Sequence, residues 1–233
     1  KKQKTPFYIY SENQIITNFL KFKNTFKKTN PLICFAAKSN SNLNILRVLG
    51  RLGAGADVVS GGELLKALKA GIKAKKIVFS GVGKTEEELK IAINKNILLI
   101  NCESESEAKL VNNLAKKLRK KVSIGFRLNP NVDAKTHKNI STGKAENKFG
   151  LSIKSFKIFL KTINSLKNIK LDALSVHIGS QILNDAPFKK TLSVMSKLIK
   201  ELRLNLKYVD LGGGFGINYT NKEKPINLNK YSK

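Results

Sequence analysis

The sequence predicts an α/β fold made of repeated strand–helix units, a (β/α)8 TIM-type barrel. Seven short runs rich in β-branched and other apolar residues recur along the chain, and apolar residues at helical spacing lie between them. The first five runs begin about 20 to 25 residues apart, which is the cadence of such a barrel. A doubly wound parallel sheet is the alternative arrangement of the same units.

The strands and helices are predicted in chain order. The predicted strands cover residues 31–38, 56–60, 75–81, 97–104, 121–130, 171–180 and 207–216. Helical spacing of apolar residues predicts helices within 43–52, 64–68, 89–93, 108–118, 156–163 and 192–202. A polar loop at 129–150 precedes the sixth strand, and loops of this length are often functional. Because no eighth apolar run follows residue 216, we expect an incomplete barrel, with 1–233 forming one truncated domain of a longer protein.

The composition is that of a globular protein. Its 233 residues are 41% apolar, which is enough for a core and argues against disorder. No apolar run reaches the roughly 18 residues that span a bilayer, and the basic N-terminus lacks the apolar stretch of a secretory signal. Cys34 and Cys102 are far apart and form no CxxC pair, so the sequence predicts neither a disulfide framework nor a zinc site. We therefore expect a reducing, cytoplasmic location.

The net charge of +28 raises the question of a nucleic-acid partner. Only five of the 44 basic residues are Arg, the residue whose planar fork reads phosphates and bases. The lysines are spread over every segment of the chain, as on a solvated surface. We expect a small-molecule ligand, and neither a nucleic-acid nor a membrane partner.

Lys38 ends the first predicted strand, where an unpaired ammonium needs either solvent or a chemical role. Side chains alternate along a strand, so Cys34, Ala36 and Lys38 share one face and Phe35 takes the other. If Phe35 packs against the helices, Lys38 points into the barrel near its carboxyl-end mouth, where barrel enzymes keep their active sites. Taken alone, such a lysine more often extends its ammonium to solvent.

The same alternation brings other polar groups to that mouth. Arg127 lies on the inward face of the fifth strand and His177 on that of the sixth. Asp57 lies at the start of the second strand, and Glu63 follows at the head of the next helix. Individually, each has a plain structural explanation, such as an interior histidine or an ion-pair partner. Together they predict a polar site at one rim.

A glycine-rich turn, LGGGFG at 211–216, follows Asp210 at the end of the seventh strand. Glycine lets backbone N–H groups approach a phosphate closely, and barrels commonly bind phosphate after strands seven and eight. No GK[ST] follows, so the turn is not a Walker loop, and nothing beyond it supports a dinucleotide fingerprint. Taken together, a lysine, a phosphate-type turn and a barrel favour a Schiff base with pyridoxal 5'-phosphate.

At these residues the chain resembles the fold-type III pyridoxal-phosphate decarboxylases, whose barrel is of the alanine racemase/ornithine decarboxylase type. The matching motifs follow the family order over nearly the whole chain: FAAKSN (35–40), GADVVSGGEL (55–64), SIGFRLNP (123–130), HKNISTGKAENKFG (137–150), VHIGSQI (176–182) and DLGGGFG (210–216). The ISTG…NKFG loop and HIGSQ favour the diaminopimelate branch over the ornithine and arginine branches.

The resemblance implies which residues hold the cofactor. Lys38 would join covalently to the cofactor aldehyde, and His177 would stack on its pyridine ring. The phosphate would be held by a set of small residues from two loops, namely Ser180, Gly212, Gly213 and Gly214.

The resemblance also implies neighbouring charged residues. Asp57 and Glu63 match carboxylates near the cofactor lysine and are expected to orient it, so both join Lys38 and His177 as expected catalytic residues. Arg127 matches an arginine beside the cofactor's phenolic oxygen, and Lys148 matches a lysine at the opposite rim. No metal is implied.

The implied reaction converts meso-2,6-diaminopimelate to L-lysine and CO2, the last step of lysine biosynthesis, in a homodimer. Alternatives are a related decarboxylase of the ornithine, arginine or carboxynorspermidine type, and a homologue that binds pyridoxal phosphate without catalysis. The family's EPGR-type strand and C-terminal β-domain, which brings a cysteine and a tyrosine to the partner subunit's site, have no match here. Neither Cys34 nor Cys102 is assigned that cysteine's role, and we expect residues 1–233 alone to be inactive.

Overall fold

The computed structural model describes residues 4–134, 143, 149–219 and 226–232. The strands are β1 (Cys34–Ala36), β2 (Gly55–Val58), β3 (Ile77–Phe79), β4 (Leu99–Cys102), β5 (Val122–Asn129), β6 (Leu151–Ser152), β7 (Ile169–Val176) and β8 (Tyr208–Asp210). The helices are α1 (Glu12–Thr25), α2 (Leu43–Arg51), α3 (Gly61–Lys69), α4 (Glu86–Asn94), α5 (Glu105–Lys117), α6 (Ile153–Ile163), α7 (Ala186–Glu201) and α8 (Leu228–Tyr231).

The strands form one parallel sheet in the order β1-β2-β3-β4-β5-β7-β8, and β6 pairs with β5 outside this path. Sheet order thus follows chain order, as in a barrel, because each helix returns the chain to the next position. Within the described residues β1 and β8 are the two edges and do not pair with each other. All seven predicted strands are confirmed, and the fold is an incomplete TIM-type barrel.

The main core lies between the outer face of the sheet and the helices. Phe79, Phe126, Phe156 and Phe159 are its largest fully buried side chains. The Phe126 ring contacts Phe156 and Phe159 at centroid distances of 5.8 and 5.4 Å. Phe35 packs against the helix-side cores, as the alternation predicted.

The inner face carries a smaller apolar layer. Val78, Leu99 and Ala173 form this layer, and Cys34 packs against it. The next inward position along each strand lies nearer the carboxyl ends, where polar groups replace apolar ones. The apolar layer therefore forms the floor of the mouth.

Three elements differ from the prediction. β1 ends at Ala36, and Lys38 lies beyond it in a 3-10 turn, Ala37–Ser39, where the Ser39 hydroxyl donates to the Ala36 carbonyl at 2.7 Å. The inward projection of Lys38 therefore depends on this turn and not on strand alternation. Helix α1 was not predicted because it buries no side chain and shows no strong apolar face, although Ser11 and Glu12 are a usable start signal. Strand β6 is only two residues long, too short for a periodic pattern.

Three helices begin with Ser or Thr at the N-cap and Glu three residues later, a pattern in which each side chain accepts an N–H at the helix start. The residues are Ser60 and Glu63, Thr85 and Glu88, and Ser104 and Glu107. In two of them the glutamate reaches one residue further back, to the backbone N–H of Val59 or Glu103, at 2.9 and 2.7 Å. These contacts fix the loops that leave β2 and β4.

No helix in the described part of the chain is long and apolar enough to cross a membrane. Nor do the described side chains form a group of three or more His, Cys, Asp or Glu that could hold a metal ion. Most of the predicted polar loop, residues 135–142 and 144–148 including Lys148, lies outside the described residues.

Candidate active site

The carboxyl ends of the strands bring the predicted polar residues to one mouth. The register places Ala36 opposite Asp57, and Ser175 opposite both Arg127 and Asp210. Parallel strands expose their carboxyl ends at the same edge. Groups from distant parts of the chain therefore face one another.

Lys38 is exposed at this mouth and lies close enough to two groups to affect them. Its charge lowers the pKa of both Asp57 and His177. Among the described residues its ammonium makes no hydrogen bond or ion pair, so the amine is available to a ligand. The structure thus brings Lys38 and His177 together.

Asp57 is a partly buried carboxylate with one buried oxygen short of a donor. Burial and the charges of Asp210 and Glu63 raise its pKa to about 6, against the opposing effects of the Ser80 hydroxyl and Lys38. Its Oδ1 has no hydrogen-bond partner among the described residues. An orphaned buried oxygen is costly, and such groups cluster at functional sites.

His177 is held as a neutral imidazole. Burial, then the positive charges of Arg127 and Lys38, lower its pKa to about 4. The backbone N–H of Gly213 donates to Nδ1 at 3.3 Å, which assigns the proton to Nε2. The glycine turn therefore fixes both the ring and its tautomer.

The glycine turn and the loop after β7 are in close backbone contact. A Cβ on Gly214, at φ +98°, would overlap the Gly179 carbonyl oxygen, and one on Gly212 would meet His177 Nδ1 at 2.9 Å. Ile182 N–H donates to the Gly214 carbonyl at 2.8 Å. At Gly213, by contrast, a Cβ would meet nothing within 4 Å, so its backbone borders open space.

Ser180, the remaining predicted phosphate ligand, is exposed and directly follows Gly179. It therefore lies beside the contact between the two loops. The Gln181 side chain ties the same loops together, since it bonds both the N–H and the carbonyl of Ile217.

Arg127 is held from several sides. Its Nη1 donates to Glu103 Oε1 at 3.0 Å, with both side chains largely buried. Its guanidinium lies over the Phe149 ring, 4.8 Å from the centroid. Glu103 Oε2 also accepts the Gly150 N–H at 2.8 Å. Sequence reasoning missed Glu103, although its position two residues beyond Asn101 on an inward-facing register is a usable signal.

Glu63 bonds the Val59 N–H and affects the mouth through its charge on Asp57. It therefore lies near the site, as expected, and is held by the helix start.

A buried polar network below the mouth was also missed. Asn101 Nδ2 donates to Asp210 Oδ2 at 3.0 Å and to Ser80 Oγ at 3.3 Å. A Cβ on Gly125 would overlap Asn101 Oδ1, so glycine at 125 makes room for this amide. Asp210 has a raised pKa, chiefly because of burial. The signal was a polar Asn inside an otherwise apolar strand.

Neither cysteine is a reactive group in the described structure. Burial, with Asp210 and Asp57, raises the pKa of Cys34 to about 12, and burial also raises that of Cys102. Both thiols therefore stay protonated and weakly nucleophilic.

The described residues fit pyridoxal phosphate. An amine at the mouth can join an aldehyde, Asp57 Oδ1 lacks a partner, and the backbone at Gly213 is open to a ligand between two tightly packed glycines. Backbone N–H groups in such bends suit a phosphate.

Comparison with known proteins agrees with this chemistry. The family profile described as "Pyridoxal-dependent decarboxylase, pyridoxal binding domain" matches residues 12–233. The diaminopimelate decarboxylase of Campylobacter jejuni is 46% identical over 233 residues, covering 98% of this chain and 58% of that protein. That of Aquifex aeolicus is 43% identical, covering 94% and 53%.

A solved structure of diaminopimelate decarboxylase from Helicobacter pylori, complexed with L-lysine, superposes with a TM-score of 0.93 at 44% identity. The match covers 99% of this chain and 59% of that one. The chain thus spans little more than half the length of the relatives it matches. With its barrel, its mouth residues and the profile match over 12–233, the chain belongs to the pyridoxal-dependent decarboxylases and carries their pyridoxal-binding domain.

Proposed function

We propose that the whole protein is a pyridoxal-phosphate-dependent decarboxylase of meso-2,6-diaminopimelate, which releases CO2 and forms L-lysine. The observation that carries the proposal is the meeting of Lys38, His177 and the glycine turn at one mouth. The relatives named as diaminopimelate decarboxylases, at 43 to 46% identity, support the substrate.

The residues divide the work of binding. Lys38 is the covalent attachment point for the cofactor, and the glycine turn with Ser180 holds its phosphate. Neutral His177 offers a flat, uncharged ring to the cofactor ring, since a buried imidazolium beside Arg127 would be repelled. We assign to Asp57, whose pKa burial raises to about 6 and on which the charge of Lys38 acts, the exchange of a proton with the Lys38 amine.

When bound, pyridoxal phosphate supplies the electron sink for breaking the bond to the carboxylate. The chain contributes orientation and charge placement around it. Arg127 supplies positive charge at the mouth, and Glu63 holds the loop after β2 through the Val59 N–H.

We extend the proposal to the assembly and its setting. Residues 1–233 form the cofactor-binding barrel domain, and a further β-domain completes a homodimeric enzyme of the cytoplasm. Its partners are the small-molecule substrate and a second copy, and neither nucleic acid nor a membrane.

The test uses the whole protein loaded with pyridoxal phosphate. Borohydride reduction should trap the cofactor on Lys38, as read by mass spectrometry of the peptide, and Lys38→Ala and Lys38→Arg should abolish the adduct. Lys66→Ala, at an exposed lysine that bonds Ser41, is the matched control and should keep it. An adduct that persists in both Lys38 variants contradicts the assignment.

The substrate is tested by CO2 release from diaminopimelate, ornithine, arginine and carboxynorspermidine at equal concentration. Diaminopimelate should be preferred by a wide margin. Preference for another substrate would move the protein to a related branch, and an adduct without turnover would make it a non-catalytic binder.

A further inference from the structure

We propose that Glu103 is the positioning residue that fixes the orientation of Arg127 and partly compensates its positive charge at the cofactor. This rests on the proposed function, since it assumes that Arg127 faces a bound pyridoxal phosphate. Glu103 is absent from the motifs that carry the family resemblance.

The first argument is burial. The Arg127 and Glu103 side chains are only 14% and 8% exposed, with 3.0 Å between Nη1 and Oε1. Solvent screens such a pair poorly, and a guanidinium without its carboxylate would be an uncompensated buried charge. The pair of Lys109 with Glu105, by contrast, has side chains that are 55% and 44% exposed.

The second argument is that one carboxylate restrains Arg127 from two directions. Glu103 Oε1 accepts a hydrogen bond from the Arg127 guanidinium, and Oε2 accepts one from the Gly150 N–H at 2.8 Å. Gly150, at φ +73°, lies so close to Arg127 that a Cβ there would meet its carbonyl oxygen at 2.8 Å and its Cγ at 3.2 Å. Phe149 covers the guanidinium face. Holding Gly150 therefore also holds the surroundings of Arg127.

The third argument is that Glu103 is itself anchored. Its backbone N–H donates to Glu107 Oε2 at 2.7 Å, and Glu107 Oε1 pairs with the fully buried Lys84 ammonium at 2.7 Å. Because both the backbone and the side chain of Glu103 are held in place, Glu103 leaves the Arg127 side chain little freedom to move. A preorganised charge costs no reorganisation when the ligand binds.

The fourth argument is the electrostatic setting at the mouth. Arg127 lowers the pKa of both Asp210 and His177. The charged and titratable groups that Arg127 contacts or affects are thus Glu103, Asp210 and His177, and the charge of Lys38 also acts on His177. Of these, Glu103 is the carboxylate in direct contact, so its removal exposes the ligand to the full charge of Arg127.

The test compares Glu103→Gln and Glu103→Asp in the whole protein with Glu105→Gln, which removes the exposed pair with Lys109. Glu103→Gln should weaken pyridoxal phosphate binding at least tenfold, because the lost restraint on Arg127 and Gly150 outweighs the added attraction of the uncompensated guanidinium for an anionic ligand. It should also shift the pH midpoint of the bound cofactor's absorbance downward, because uncompensated positive charge favours loss of a proton. Glu103→Asp should restore much of both properties, and Glu105→Gln should leave both within twofold of wild type.

A double-mutant cycle decides whether Glu103 acts through Arg127. The binding losses of Glu103→Gln and Arg127→Gln should be strongly non-additive. Additive losses, or a Glu103→Gln protein that unfolds more easily but keeps the wild-type midpoint, would overturn the inference and leave the proposed function standing. Wild-type protein that takes up no cofactor would overturn the proposed function and this inference with it.

Discussion

Asp57 and His177 are neighbours of Lys38 at the mouth, and burial favours the neutral form of both. The pKa of Asp57 is raised to about 6 and that of His177 is lowered to about 4. Between about pH 4 and 6 the native state keeps a proton on Asp57, whereas the unfolded state does not. The contribution of Asp57 to the free energy of unfolding therefore falls as the pH rises. His177 acts oppositely, because the unfolded imidazole gains a proton first as the pH falls from about 6.5.

The first prediction isolates the carboxylate. Asp57→Asn should stabilise the cofactor-free protein at pH 7.5, by up to about 3 kcal/mol, because the amide carries no buried charge. The gain should shrink as the pH falls from about 6 to 4 and vanish only below the ordinary Asp pKa of 3.8, where Asp57 is protonated in both states. Urea unfolding of both proteins across this range measures it.

Asp185→Asn provides a control of opposite sign. The hydrogen bond and charge of Lys189 lower the pKa of Asp185, so removing its charge should reduce stability at neutral pH. Equal stability of wild type and Asp57→Asn at pH 7.5 would contradict the prediction for Asp57.

The location of most site residues could be predicted. Side chains alternate between the two faces of a strand, and this alternation predicts that Arg127 and His177 face inward. The location of Lys38 was predicted from a strand that ends earlier, and the turn keeps the ammonium at the mouth. Glu103 and Asn101 were missed because their importance lies in contacts across the sheet, with Arg127 and Asp210. The local sequence marks each as a polar residue on an inward-facing register, but it does not record which residue each one contacts.

At the level of elements, the mouth depends on two loops that pack backbone to backbone. The turn after β8 and the loop after β7 meet at Gly214 and Gly179, and their strand-like bridge joins Ile182 to Phe215. Such a contact admits no side chain at Gly214. Motif glycines therefore have two distinct roles, close approach at Gly214 and ligand access at Gly213.

The second prediction separates these roles. Gly214→Ala should destabilise the cofactor-free protein by about 2 kcal/mol or more, because φ is +98° and the new Cβ would overlap the Gly179 carbonyl. Gly213→Ala is the matched variant one residue away and should cost less than about 0.5 kcal/mol, since its Cβ meets open space. Thermal unfolding measures both, and similar losses would contradict the two-role account.

Elements were predicted best where burial is continuous. The strands between helices have apolar sequences because both of their faces are covered. All seven predicted strands are present in the structure. Their ends were overestimated, since polar end residues belong to turns such as Ala37–Ser39. The register shift between Ile124 and Gly125 leaves no trace in composition, because it arises from pairing with β7.

At the scale of the whole molecule, a net charge of +28 acts on the folded state. Lys and Arg number 44 against 16 Asp and Glu, so most basic side chains have no acidic partner. Self-repulsion destabilises a compact chain. The expectation that residues 1–233 alone lack decarboxylase activity stays a prediction.

The third prediction follows from this charge. The melting temperature should rise by several degrees between about 20 and 300 mM sodium chloride, because the Debye length falls below about 10 Å in that range. Potassium chloride at equal ionic strength should give the same rise, which separates screening from specific ion binding. A flat or falling melting temperature would contradict it.

The contact between Asn101 and Asp210 joins residues 109 positions apart in the chain. During synthesis on the ribosome, each parallel pairing can form soon after its strand emerges, because neighbours in the sheet are close in sequence. Asn101 is 1% exposed in the finished fold, and its amide can bond Asp210 only after β8 has been synthesised. A nascent chain halted before β8 would therefore contain an Asn101 amide without its carboxylate partner. Such a chain would be exposed to quality-control proteases in this incompletely bonded form.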